Sequence, residues 1–214
     1  MQYALDSIVK KYELEYDVTC EVTSGASGLL YSQIENGAPY HLFLSANMTY
    51  PQTLHKNGVG DRPIVFAKGQ LLFVTQKKSQ YLTIQDALND SKITRVALAD
   101  TKIAPFGMAT FDYLSQSNLY EKLKEKLVVG ENVGQVNLFL ATKAVEAGFT
   151  GNAFKVKYQN EFNYFELDSN LYHPINQSVI VLNKNASAQA KYFVKFLCSD
   201  ESKSILRYFG YLAD

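Results

Sequence analysis

Cysteine is scarce in this chain: Cys20 and Cys198 are the only two among 214 residues. They stand far apart and show no CxxC or other metal-ligand spacing, which excludes a disulfide scaffold and a cysteine-built zinc site. Two buried free thiols are expected, and a disulfide between them would require an exported chain. Charge of one sign is lacking too, since 21 basic residues balance 21 acidic ones. Without a Lys/Arg cluster there is no basis for neutralising phosphates, so nucleic acid is excluded as a partner. The short run Glu121 to Lys126 reads as a solvated helix face with charge pairs at helical spacing. No apolar run approaches the roughly 20 residues of a membrane span, and no secretory signal opens the chain. It begins with Met1-Gln2-Tyr3-Ala4-Leu5, which already reads as the inside of a helix.

Histidine is rare as well. His41, His55 and His173 form no HxxxH or HExxH pattern, and no carboxylate cluster accompanies them, so no metal site is expected. His41 follows Tyr40 on an apolar strand and reads as a core or edge histidine. Ser27 sits in Gly25-Ala26-Ser27-Gly28-Leu29, which lacks the last glycine of a nucleophile elbow. A phosphate loop would need a lysine after Gly28, where Leu29 and Leu30 stand. No acid–base pair points to catalysis, so an enzyme is not expected.

What remains is an alternation of helical and strand-like segments. Helices are expected over residues 3–15, 27–36, 51–57, 84–89, 107–116, 119–126, 134–147, 186–197 and 201–209. The stripe Val136, Leu140, Ala144 and Ala147 sets the length of the seventh. Strands are expected at 18–23, 41–45, 64–66, 71–75, 95–99, 127–129 and 179–182, with Lys68-Gly69 between the third and fourth and a further strand opening at 147–149. Residues 154–165, rich in Tyr, Phe, Asn and Lys, show no strong period. Such alternation argues for an α/β chain with mostly parallel sheets flanked by helices, and ligands then bind beyond the carboxyl ends of strands, where helices begin.

Three such junctions share one character: Thr23-Ser24-Gly25-Ala26-Ser27-Gly28, Ala104-Pro105-Phe106-Gly107 and Glu131-Asn132-Val133-Gly134. A helix start presents backbone N–H groups and partial positive charge to an anion, and small residues let the ligand approach the backbone. A serine there is also an ordinary N-cap, so it is the three junctions together that indicate an anion.

The segment Ser24-Gly25-Ala26-Ser27-Gly28-Leu29-Leu30, continuing through Gln33-Ile34, Gly37-Ala38-Pro39 and Phe43-Leu44 to Ser45-Ala46-Asn47, resembles the signature of the periplasmic molybdate-binding proteins of ABC transporters. Phe196-Leu197-Cys198-Ser199 and Ile205 to Gly210 are similar to that family's closing helices. The resemblance spans nearly the whole chain. It implies a two-lobed periplasmic-binding fold of type II, hinged, with residues 1–67 plus 179–214 as one lobe and 68–178 as the other. It implies a monomer in the periplasm that takes up molybdate or tungstate without a cofactor and delivers it to a membrane permease. Carried over by position, Ser27 falls on a ligand serine, and Phe106 and Val133 on residues that donate backbone N–H groups. The hinge crossings are expected near 67–68 and 176–178. The chain departs from the family pattern in three places: the opening strand with its A-A-A-[SN] motif is absent before Met1, His41 stands where the family has Asp, and no ligand tyrosine occurs near Gly151-Asn152. Other readings of the same architecture are a binding protein for sulfate, phosphate or an organic acid, an effector-sensing domain of a regulator, an enzyme on the same hinged fold, and a remnant that no longer binds.

Overall fold

The computed structural model describes residues 1–77, 81–183 and 187–213. The chain divides into two compact units. Unit 1 comprises Met1–Gly69 with Ile175–Asp214, and unit 2 comprises Gln70–Pro174. The chain therefore passes between units at 69/70 and 174/175, a few residues from the expected crossings.

Unit 1 is built from α1 (Gln2–Tyr16), α2 (Ser27–Glu35), β1 (Leu42–Ser45), α3 (Thr49–Lys56), β2 (Ile64–Gly69), β8 (Ile175–Val181), α9 (Ala188–Leu197) and α10 (Asp200–Tyr208). Its three strands run in the order β1-β8-β2, and both pairs are antiparallel. The local β1–α3–β2 alternation does make β1 and β2 point the same way. However, β8, which follows unit 2 in the chain, lies between them, so among the described residues unit 1 has no parallel pair. The mostly parallel sheet expected from alternation is corrected here: a periodic pattern reports which element comes next along the chain, not which strand pairs with which. Ile34, Phe43, Leu54, Ile180 and Leu182 pack as one core cluster, with Leu54 fully buried. Burying a side chain of this size stabilises the fold by about 1.5–3 kcal/mol. On the helical side, Tyr12 of α1 meets Phe193 and Phe196 of α9 at ring distances of 5.1 and 5.3 Å.

The expected strand at 18–23 is not one. After α1 ends at Asp17 in the left-handed region (φ 50), the chain runs irregularly to Ala26. Val18-Thr19-Cys20-Glu21-Val22-Thr23 alternates as a strand would, but a strand exists only with a ladder partner, and β1 pairs with β8 alone. The Cys20 amide instead donates to Glu13 Oε1 at 2.7 Å. Cys20 and Cys198 are both free and half-buried, and burial pushes both thiols up.

Unit 2 contains β3 (Leu71–Gln76), α4 (Ile84–Asn89), β4 (Val96–Ala99), α5 (Pro105–Gln116), α6 (Tyr120–Leu123), β5 (Leu127–Gly130), α7 (Val133–Ala141), β6 (Ala147–Gly151), α8 (Asn152–Tyr158) and β7 (Phe162–Glu166). Its sheet has the order β5-β4-β6-β3-β7. β4 pairs parallel with β5 and β6, while β3 runs antiparallel to β6 and β7. α5 packs on β4, and α7 packs on β4 and β6. Phe73 and Phe149, both buried, face each other across β3 and β6 at 4.9 Å.

Two boundaries differ from the sequence expectation. The helix expected over 134–147 ends at Ala141, because Lys143 turns left-handed (φ 58) and its amide and that of Ala144 bond back to Leu140 and Phe139. This Schellman closure breaks the stripe: Val136 and Leu140 are buried, but Ala144 is exposed and Ala147 begins β6. Lys68-Gly69 belongs to β2 rather than to a connection. The expected start of the penultimate helix, Ala186, lies outside the described residues.

At the amino ends of β4 and β6, Glu146 gathers several donors. Its Oε2 accepts from Thr94 N (3.2 Å), Thr94 Oγ1 (3.0 Å) and Arg95 N (2.8 Å), and its Oε1 from Arg95 Nη2 (2.7 Å). Burial pushes this carboxyl up, but the guanidinium and the N–H and O–H donors together outweigh it and hold the group at about 2.

Candidate functional site

The parallel strands of unit 2 place helix starts along one sheet edge. Ala99 pairs with Gly130 at the carboxyl ends of β4 and β5, and β6 runs alongside β4 in the same direction. α5, α7 and α8 begin shortly after these three strands, so their first turns share that edge. The Asp100 amide donates to Gly130 O at 2.8 Å and locks the two ends together.

α5 opens without a side-chain cap. Its N-cap, Ala104, has no polar atom to offer, and Pro105 at the first position has no N–H. The first amides of the helix are therefore those of Phe106 and Gly107, and Phe106 is buried at 5% exposure. Gly107 is required by space: a Cβ there would lie 2.2 Å from Asp100 O and 2.4 Å from Ala99 O, so only glycine lets α5 sit this close to the end of β4. Gly151 is set in the same way, since its Cβ would fall 2.9 Å from the Phe106 ring. α7 differs. Its N-cap, Asn132, accepts from Gln135 N at 3.1 Å, and Gln135 Oε1 accepts from Glu131 N at 2.7 Å. One of the first-turn amides of α7 is thus occupied within the protein, and Val133 stands ahead of it at the first helical position.

In unit 1, Ser27 is the first residue of α2, and its N-cap Ala26 again provides no side-chain cap. Ser27 is buried at 7% exposure, and its Oγ accepts from Ala46 N at 3.2 Å. A hydroxyl that accepts this bond keeps its own proton to donate. Its partner is a backbone amide rather than an imidazole, so nothing here activates it as a nucleophile. The three histidines lie elsewhere: His41 is exposed just ahead of β1, an outer strand of its sheet, and so takes the edge rather than the core alternative, His55 Nδ1 meets Gly60 O at 3.1 Å, and His173 Nδ1 meets Asp112 Oδ2 at 2.7 Å.

The structure thus puts Phe106 and Val133 at neighbouring helix starts in unit 2, and Ser27 at a helix start in unit 1. Around Ser27 it adds residues that the sequence reading did not single out. Ser45, buried at the end of β1, pairs with Ser178 of β8. Ser178 Oγ donates to Asn47 O at 2.7 Å, and Asn47 Oδ1 accepts from Tyr50 N at 3.3 Å. Ser45 and Asn47 belong to the quoted Ser45-Ala46-Asn47 triplet, so that motif carried the signal. Ser178 carried none, because it reaches this network only through the long-range β1–β8 pairing. Among the described residues, no group of three or more His, Cys, Asp or Glu could hold a metal ion, and no helix is long and apolar enough to cross a membrane.

Comparison with known proteins agrees with this layout. The family model of the bacterial extracellular solute-binding proteins matches residues 1–212. The molybdate-binding protein ModA of Azotobacter vinelandii is 31% identical over 97% of this chain and 84% of its own length. ModA of Rhodobacter capsulatus is also 31% identical, over 89% of this chain and 76% of its own. The solved structure of the Azotobacter vinelandii periplasmic molybdate-binding protein superposes with a TM-score of 0.93 at 25% identity, covering 100% of this chain and 95% of that one. The fold is therefore the two-lobed, mixed α/β fold of periplasmic binding proteins. With near-complete coverage by the family model and by relatives above 30% identity, the chain belongs to the bacterial extracellular solute-binding proteins.

Proposed function

We propose that the protein captures a small tetrahedral oxyanion, molybdate or tungstate, in the periplasm and passes it to the membrane permease of an ABC transporter, acting as a monomer and doing no chemistry on its cargo. The observation that carries this reading is that α2 opens at buried Ser27 and α5 at buried Pro105 and Phe106, with no side chain capping either start. Uncapped amides at a buried helix start, and a buried serine hydroxyl at another, are donors that suit a desolvated anion. The two relatives at 31% identity are molybdate-binding proteins, which selects the oxyanion within that class.

In this reading the donors are the Ser27 hydroxyl and the backbone amides of Phe106 and Val133, joined by further neutral N–H and O–H groups. Partial charge at helix starts offsets the dianion, so no lysine or arginine is needed. A protonated oxyanion is rejected, because a proton facing only donors forfeits a hydrogen bond. The two compact units act as the lobes, and the ligand shifts the protein toward its bound conformation by binding that conformation more tightly. Calorimetric titration with molybdate, tungstate, sulfate and phosphate tests this. Heat with the first two and little with the others is expected. No heat with any of the four, from protein shown to be folded, ends the oxyanion reading.

A further inference from the structure

Both crossings between the units are pinned on the unit 2 side. Leu71 N donates to the Tyr172 hydroxyl in a buried bond of 3.2 Å, linking the second residue after one crossing to a residue just before the other. Gln70, the first residue of unit 2, is bound twice to Asn152: its carbonyl accepts from Asn152 N at 3.3 Å, and its Oε1 accepts from Asn152 Nδ2 at 2.6 Å. Asn152 is the first residue of α8 and follows Gly151. A Cβ on Gly151 would lie 2.9 Å from Phe106 Cε1 and 3.7 Å from Gln70 O. Gln70 at the crossing, the start of α8 and the Phe106 ring therefore form one continuous contact.

We infer that Gln70 and Asn152 are a positioning pair for oxyanion binding, holding the start of α8 so that Gly151 seats the Phe106 ring and thereby aims the Phe106 amide. This rests on the oxyanion reading, in which that amide is a donor. Neither side chain of the pair has to touch the ligand. A directional amide–amide bond suits this role. An apolar contact would permit sliding along the ring, whereas two hydrogen bonds to one residue fix both the position and the rotation of Asn152.

The test uses Gln70→Met, which keeps the length of the side chain but removes its acceptor, Asn152→Ala, which removes the donor, and the double variant. Each is confirmed folded by circular dichroism and titrated with molybdate. Each single variant is expected to bind roughly fivefold more weakly, and the double variant no more weakly than the worse single, since both substitutions break one link. Wild-type affinity in both singles, or losses that multiply in the double, overturns the inference. The ¹⁵N–¹H signal of Phe106 in ligand-free protein supplies a readout independent of molybdate. It should move in Gln70→Met and return in Gln70→Glu, which keeps an acceptor for Asn152 Nδ2; a signal that stays put in Gln70→Met overturns the positioning role whatever molybdate does. Absence of molybdate heat in the wild type, with the Phe106 signal still behaving as expected, refutes the oxyanion reading and leaves the positional link standing. If Asn152→Ala does not fold, the comparison of Gln70→Met with Gln70→Glu decides.

Discussion

Replacing Glu146 by glutamine should make unit 2 less stable at neutral pH and remove most of that difference in acid. The folded carboxyl is held at about 2 against an ordinary 4.5. Between these values the unfolded chain binds a proton that the folded chain does not, so stability rises with pH across this window. The contribution is complete above about pH 4.5 and is lost as the pH falls toward 2. At about 1.4 kcal/mol per unit the full linkage reaches about 3 kcal/mol. The Glu146 and Arg95 side chains are 30% and 53% exposed, and solvent screening at such a pair brings the expected effect to about 1 kcal/mol. The substituted amide would keep the volume and one acceptor oxygen, but it would turn an NH₂ toward donors that now meet a carboxylate. The assay is urea unfolding of both proteins, followed by tyrosine fluorescence and circular dichroism, at pH 7, 4 and 3. Taking the difference between the two proteins cancels every other titrating group. It should be about 1 kcal/mol at pH 7 and less than half of that at pH 3. A difference that stays constant from pH 7 to 3 would refute the reasoning.

Three further substitutions probe the site and its supports. Ser27→Ala should weaken molybdate binding by roughly 10- to 100-fold, the worth of a hydrogen bond to a charged ligand, and also lower the melting temperature, because the Ala46 amide loses its Ser27 acceptor; equal calorimetric affinity would remove Ser27 from the donor set. Gly107→Ala would drive a methyl group to 2.2 Å from Asp100 O, so α5 must shift, at about 1–3 kcal/mol of stability and with a parallel loss of affinity; an unchanged melt would show that the end of β4 yields freely. Tyr172→Phe leaves the buried Leu71 amide without its acceptor and should cost about 1–3 kcal/mol, seen as faster proteolysis near residues 69–71 under mild denaturant. Wild-type resistance to the protease would argue against that pin.

The parts of the fold legible in the sequence were those set by local chemistry. The helix at Ser27, the strand at Leu42–Ser45 and the start of α5 at Pro105 follow from nearby glycines, prolines and apolar periods. What escaped was set by distant residues. Val18–Thr23 has a strand's alternation but no ladder partner. Ala144 continues a helical stripe on paper, yet Lys143 had already turned left-handed. The antiparallel pairing of unit 1 depends on where β8 inserts, and no local pattern encodes that. The site followed the same rule. Phe106 and Val133 stand at strand-to-helix junctions and Ser27 at a helix start after an irregular stretch, and nearby glycines, Pro105 and Asn132 make all three helix starts readable. By contrast Ser178, Gln70 and Asn152 make their bonds to partners more than 80 positions away in sequence.

The insertion of β8 between β1 and β2 also dictates an order of assembly. Unit 2 is one uninterrupted stretch, Gln70–Pro174, and can complete its sheet as soon as that stretch has been made. Unit 1 cannot. Its first 69 residues supply both outer strands but leave the middle of the sheet empty until residue 175 arrives. Ile180 and Leu182, needed to close the cluster of Ile34, Phe43 and Leu54, come only with β8 and the residue after it. The amino-terminal half-unit must therefore wait, with apolar surface uncovered, while the later part of the chain folds. Long-range closures of this kind are slow to form and leave apolar surface open to aggregation meanwhile. The central strand of unit 1 is thus made after both of the strands it joins.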